Sequence, residues 1–227
     1  MDKLEEMSFI MQKNSFLDEK IIMMLNSRDK PTEEIISVND TKTIEEEQEI
    51  GEQTIYTGLK IKNQWFDFEE RLLVEDKIAI MIPKNFTPMD IETAKIKYPS
   101  EQRPGTILTD DTGTINIMFT YMIDAMKNEE AEETRDTLLG IVCRVNPGIK
   151  QRESGVEIIS NKNVAYTEYT NPTIDGKLYN LVYFLEVHGN LLMGSLNCQT
   201  KDMKYWKPIA FEIMRSIQIQ SEFETGK

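Results

Sequence analysis

The stretch VAYTEYTNPTIDGKLYNLVYFLEVHGNLLMGSLNCQTKDMKYWKPIAFEIMRSI, residues 164–217, carries most of the architecture. Val164, Tyr166 and Glu168 alternate with Ala165, Thr167 and Tyr169, which is the period of a strand over 164–170. Asn171-Pro172-Thr173-Ile174-Asp175-Gly176 supplies turn residues, with Asp-Gly tolerant of positive φ. Leu178 to Val187 is the next strand, and Tyr179, Leu181, Tyr183, Leu185 and Val187 form a face that must be buried. His188-Gly189-Asn190 turns the chain again, and Leu191 to Cys198 returns. Two short turns impose three consecutive antiparallel strands. From about Lys201 to Ile217, Trp206, Ile209, Ala210, Ile213 and Ile217 recur at spacings of three and four, which predicts an amphipathic helix. Asp202 at its start suits the helix dipole. Pro208 inside the pattern leaves a start nearer Tyr205 as the alternative. The apolar stripe of this helix needs a surface, and the three strands provide one.

Upstream, from Gln53, the pattern is also β-like. Thr54 to Ile61 reads as a strand, and Trp65-Phe66-Asp67-Phe68 leads into another. Arg71–Val74 and Lys77–Ile82 form a hairpin turned at Glu75-Asp76. Met89 to Lys97 is a short helix stopped by Tyr98-Pro99. Ile107–Thr109 and Thr114–Met122 are strands joined by Asp110-Asp111-Thr112-Gly113. Glu129 to Val145 is the longest internal helix, with Leu138, Ile141, Val142 and Val145 on its apolar face. Val156 to Ser160 begins the run of strands that ends the fold. The predicted class is α+β: a mostly antiparallel sheet with helices packed on it, over residues 53–227.

Two further segments precede this domain. Residues 1–28 form an N-terminal helical segment, with Leu17, Ile21 and Met24 among the residues of its apolar face. The simpler reading is a helix packed on the main domain; its methionines also suit an adaptable contact with a partner or with a second copy of the chain. Residues 29–52 hold nine acidic and two basic side chains, so −7 of the net charge of −13 belongs to that stretch. Glu45-Glu46-Glu47-Gln48-Glu49 lacks apolar partners at helical spacing, which makes 29–52 an acidic linker.

The charge excludes some classes of partner. A pI near 4.7 and no Lys/Arg stripe argue against binding nucleic acid, whose affinity comes mostly from cations on phosphates. The same sign argues against an anionic membrane surface. No apolar run spans a membrane, and the first 25 residues contain Glu5, Glu6, Asp18 and Glu19 rather than a signal-peptide core, so the expected location is cytoplasmic.

Reactive residues are few. Cys143 and Cys198 fall on buried positions of a helix and a strand and read as inert thiols. With a single histidine they do not make a usual structural zinc site. His188 sits at a hairpin tip, where Glu186 and Ser195 on the flanking strands are its conceivable partners; a turn residue is the simpler reading. Asp111-Thr112-Gly113 has the letters of an aspartic-protease loop but lies where a hairpin turn wants them. Glu129, Glu130, Glu132 and Glu133 suit the start of a helix. No Gly-rich phosphate loop, paired His or CxxC occurs. No catalytic residue, metal or cofactor is expected. Trp65, Phe66 and Phe68 cluster where the domain begins, either as core or as an aromatic patch for a partner.

Three pieces of the chain resemble the PsbP-like fold, shared by a photosystem II extrinsic subunit, a Ran-binding nuclear transport factor and many bacterial proteins. Ile80-Met81-Ile82-Pro83-Lys84-Asn85-Phe86 resembles the family's early step of apolar strand, Pro and Phe. Thr114–Phe119 resembles its following strand. Gly189–Cys198 with Trp206, Ser216 and Ile217 resembles its last strand and closing helix. Ile96–Pro104 is similar to a stretch of Firmicutes members. The resemblance spans roughly residues 68–219. It implies an α/β/α sandwich, a bacterial source and a binding or accessory role, and it transfers no functional residue. The expected function is therefore a non-enzymatic protein-interaction module. It would use a sheet face or cleft and Trp65, Phe66, Phe68, Leu17, Ile21 and Met24, with self-association through the N-terminal helix as a further option. A hydrolase of unrecognised type and a small-ligand carrier are the alternatives.

Overall fold

The computed structural model describes residues 53–98, 103–173 and 176–221. The N-terminal helical segment and most of the acidic linker lie outside these residues. In chain order the elements are β1 (Leu59–Ile61), β2 (Gln64–Phe66), β3 (Phe68–Leu73), β4 (Ile78–Pro83), β5 (Thr87–Pro88), α1 (Ile91–Lys97), β6 (Thr106–Thr109) and β7 (Asn116–Ala125). There follow a 3-10 turn (Asn128–Glu130), α2 (Ala131–Val145), β8 (Lys150–Ile159), β9 (Lys162–Thr173), β10 (Gly176–Val187), β11 (Asn190–Gln199), α3 (Met203–Arg215) and β12 (Gln218–Ile219).

One sheet has seven strands in the order β5-β6-β7-β11-β10-β9-β8. The expected α+β class, with a large antiparallel sheet, holds. Its middle is set by the hairpin at residues 188–189. Val187 faces Asn190, and His188 and Gly189 both have positive φ, 51° and 75°. Two such residues match the right-handed twist of the flanking strands. A second sheet, β12-β4-β3, packs beside the first, and β1 and β2 form a small ribbon.

The seven-stranded sheet is covered on both faces. Tyr179, Leu181, Tyr183 and Leu185 of β10 face α3, whose Trp206, Ile209, Ala210 and Ile213 are buried against them together with Ile78, Ile80 and Ile82 of β4. On the opposite face, Val182 and Phe184 of β10 and Ala165 of β9 meet Leu138 and Ile141 of α2. A separate cluster on that face joins Ala94 and Tyr98 at α1 to Ile107 of β6 and Met118 of β7.

Four sequence expectations need correction. The strand expected over Thr54–Ile61 begins only at Leu59, because residues 55–57 turn the chain and the Thr57 N–H donates to the Thr54 carbonyl at 3.2 Å. The turn expected at 171–176 is shorter, because pairing runs on to Thr173 opposite Gly176. The strand expected from Val156 begins at Lys150, because an edge strand can be polar and carries no alternation to read. The last helix stops at Arg215. Ile217 is buried past its end, and the next residues pair with β4 as β12.

Candidate functional site

The buried reactive side chains Glu168 and Glu186 are engaged within the fold. The buried Glu168 carboxylate on β9 accepts from the Tyr179 hydroxyl at 2.5 Å and from Lys207 of α3 at 2.8 Å. Burial and this carboxylate push the Tyr179 phenol far up. Burial also pushes the Cys198 thiol up to about 12, with Asp202 adding to the shift, so Cys198 is not a nucleophile at neutral pH. Cys198 lies on the α3 face of the sheet and Cys143 on α2 at the other face. Both are free thiols; Cys198 is buried as expected, whereas Cys143 is only half-buried.

The conceivable catalytic groupings do not assemble. His188 turns away to the Gln220 carbonyl, 2.8 Å from its Nε2. Glu186 pairs with Leu191 and Ser195 with Val182. That separates them by about four residues of strand, roughly 13 Å. Glu186 is instead held by Lys162 and by the Gly189 N–H at 2.5 Å. Burial alone would raise its pKa, but these two partners outweigh burial and hold the carboxyl below the usual range. Asp110 closes the loop ahead of β7, accepting from the Ile115 N–H at 2.8 Å, while Gly113 takes φ 69°. Asp111-Thr112-Gly113 is therefore a turn. No group of three His, Cys, Asp or Glu residues that could hold a metal ion occurs among the described residues.

The expected aromatic patch is divided. Phe66 and Phe68 are 6% and 8% exposed; Phe66 meets the buried Trp206 edge-on at 5.5 Å. They belong to the core because strand alternation turns both inward. Trp65 points outward at 52% exposure, and its indole N–H donates to Asp67 at 2.9 Å. Leu17, Ile21 and Met24 lie outside the described residues.

A feature that sequence reasoning missed crosses the face that carries α1 and α2. Thr109, Asn116, Asn197, Asn180 and Tyr169 stand directly opposite one another on β6, β7, β11, β10 and β9. Opposed residues share a face, so they form one polar row. The Thr109 hydroxyl donates to Asn116 at 2.8 Å, and Asn116 donates to Asn197 at 2.9 Å. Asn180 donates to Asn171 at 2.7 Å. Burial raises the pKa of the Tyr98 phenol at the end of α1, and its hydrogen bond to Asn197 works against that rise. Beside the row, Thr120 of β7 and Ser195 of β11 are half-buried in the seam between the α1 cluster and the α2 cluster. A signal for the row was present. The two-residue loop at 188–189 fixes the register that sets Asn180 against Asn197.

No protein-family model matches the chain, and no curated protein is similar to it in sequence. Solved structures do resemble it. Cyanobacterial PsbP (CyanoP) from Synechocystis sp. PCC 6803 superposes with a TM-score of 0.51 at 12% identity, over 67% of this chain and 92% of that one. LpqN of Mycobacterium tuberculosis, described as involved in cell envelope biogenesis, gives 0.46 at 8% identity, over 71% and 95%. A Pseudomonas aeruginosa protein of unknown function gives 0.43 at 14% identity, over 68% and 98%. The PsbP comparison establishes a shared fold and nothing finer. The expected fold family is thus supported, and a special closeness to Firmicutes members is not. No helix among the described residues is long and apolar enough to cross a membrane.

Proposed function

We propose that the chain is a non-catalytic binding or accessory module that meets a protein partner along the seam between α1 and α2. The observation that carries this reading is the pair of half-buried hydroxyls, Thr120 and Ser195, in the seam, held in place over a buried row of asparagines. Between the two helices this face presents half-buried Thr120, Ser195, Met122 and Met193, whereas the amides of Asn116, Asn180 and Asn197 are buried and bonded within the fold. The reactive groups elsewhere, Glu168, Glu186, His188 and Cys198, are already engaged in holding the fold. A bacterial source, a cytoplasmic location and a second contact through residues 1–28 belong to the same reading.

The test is affinity capture from a lysate of the source organism, with the full chain and its Ser195→Arg variant in parallel. An arginine there fills the seam, and thermal unfolding checks that the fold is kept. The expected result is a protein retained by the wild type and lost from a variant with unchanged thermal unfolding. Equal retention by both would place binding elsewhere and overturn the seam. Turnover of a substrate by the wild type, lost on the same substitution, would replace this reading with an enzyme.

A further inference from the structure

One corner of the domain reverses the charge of the chain. On β1, Leu59 and Ile61 point into the core, which leaves Lys60 exposed; Lys62, just past the strand, is also exposed. Lys60 lies opposite Trp65 of β2. The Trp65 ring lies against Gly58, where a Cβ would stand 2.6 Å from it, so the glycine lets the indole lie down on the ribbon. The start of α3 adds Lys201, Lys204 and Tyr205. Lys62 pairs with Asp202 and stands 5.6 Å from the centre of the Tyr205 ring, and Lys204 approaches the same ring to 4.7 Å. Among the described residues, Lys60, Lys201 and Lys204 have no ion-pair partner. Lys60 opposite Trp65, Lys204 at Tyr205 and Lys201 at the start of the same helix stand out on a chain whose net charge is −13, with Asp67 on the Trp65 indole and Asp202 on Lys62 as the carboxylates among them.

The chain enters the fold at this same corner. The side-chain carbonyl of Gln53 accepts from the Lys60 N–H at 3.0 Å. Glu45, Glu46, Glu47 and Glu49 precede Gln53 by four to eight residues. That distance spans at most about 14–28 Å of extended chain, measured from a point beside Lys60. A tether this short gives a local concentration on the order of millimolar, and the separations are comparable to the screening length at moderate salt.

We propose that this corner is a docking site for an acidic peptide, and that its occupant is the chain's own Glu45–Glu49 run. Carboxylates sit against Lys60, Lys201 and Lys204, and the backbone of the run crosses the exposed face of Trp65. The site is separate from the α1–α2 seam and does not depend on the function proposed there.

Trp65 gives the readout, because the second tryptophan, Trp206, is only 2% exposed. Quenching of tryptophan fluorescence by neutral acrylamide is compared between the full chain and its E45Q/E46Q/E47Q/E49Q variant. The variant is expected to be quenched more strongly, by up to about two-fold if seated and free chains are comparably populated in the wild type. Raising the salt concentration is expected to bring the wild type to the variant's value and to leave the variant unchanged. Carbodiimide, which joins only touching carboxylates and amines, is expected to link the Glu45–Glu49 run to Lys60, Lys201 or Lys204 within one chain. Identical quenching in the two proteins at low salt would overturn the proposal. So would links that form only between chains.

Discussion

Tyr183 and Tyr179 stand on the same face of β10 and are equally deep, but their hydroxyls differ. Tyr179 donates to Glu168, whereas the Tyr183 hydroxyl has no hydrogen-bond partner in the structure. The Tyr183 ring lies over Gly194 of β11, where a Cβ would come within 2.1 Å of it. That contact fixes the ring, and the hydroxyl is left without a partner. An unmade buried hydrogen bond costs about 1–3 kcal/mol. Tyr183→Phe is therefore expected to leave stability unchanged or raise it by up to about 1 kcal/mol, with the ring packing kept. Tyr179→Phe removes a satisfied donor from a buried carboxylate and is expected to cost about 1–3 kcal/mol. Urea unfolding of both variants compares the two; a Tyr183→Phe loss as large as that of Tyr179→Phe would show that its hydroxyl is satisfied in solution.

At the scale of elements, the sheet has two edges that are protected differently. β5 is two residues long and ends in Pro88, which offers little to a stray strand. β8 is ten residues long and interrupted by a bulge between Gln151 and Ser154. Its Gly155 carbonyl is taken at 3.0 Å by Arg135 of α2, a guanidinium only 5% exposed that also holds Glu132 and Asp136. Arg135→Ala is expected to cost about 1–3 kcal/mol, since the half-buried Gly155 carbonyl loses a charged donor and the buried arginine stem loses its packing. It should also give larger species than the wild type at matched concentration, seen by sedimentation velocity. A variant that sediments like the wild type would remove Arg135 from edge protection. The same contrast explains what could be read in advance. Strands β9, β10 and β11 were legible because alternation and tight turns are local signals. The buried stripe of α3 was legible through its 3.6-residue period. The first half of β8 was not, because Lys150–Gly155 has no apolar face. Nor was the division into two sheets, since pairing of β12 with β4 joins residues about 140 positions apart with no local signal. Of the candidate surface, the outward Trp65 and inward Phe66 and Phe68 follow from period-two alternation. The asparagine row needed the register of five strands at once.

Across the whole molecule, ion pairs fasten α3 and the hairpin ends to the large sheet. Arg215 grips Glu157 of β8 with two bonds of 2.7 Å, and Lys207 reaches Glu168 of β9. Lys162 at the start of β9 holds Glu186 near the end of β10. The Arg215 guanidinium holds the Glu157 carboxyl below its ordinary value of 4.5. Glu186 is lowered as well, its hydrogen bonds outweighing its burial. A carboxyl with a depressed folded-state pKa binds fewer protons when folded than when unfolded. Its stabilisation is therefore complete above the unfolded value and is lost as pH falls through the folded value. General repulsion acts the other way, because protonating an acidic chain relieves it. More than half of the net charge of −13 lies in residues 29–52, outside the described fold, so repulsion within the domain is the smaller effect. The urea midpoint is accordingly expected to fall as pH drops below about 4.5, and E157Q/E186Q should flatten that fall. At pH 7 the double variant should lose about 1–2 kcal/mol, the sum of one partly exposed pair and one hydrogen-bonded, largely buried carboxylate. Parallel pH profiles for the two proteins would mean that these clasps contribute nothing to acid stability, and that the packing of α3 on the sheet holds the layers together without them.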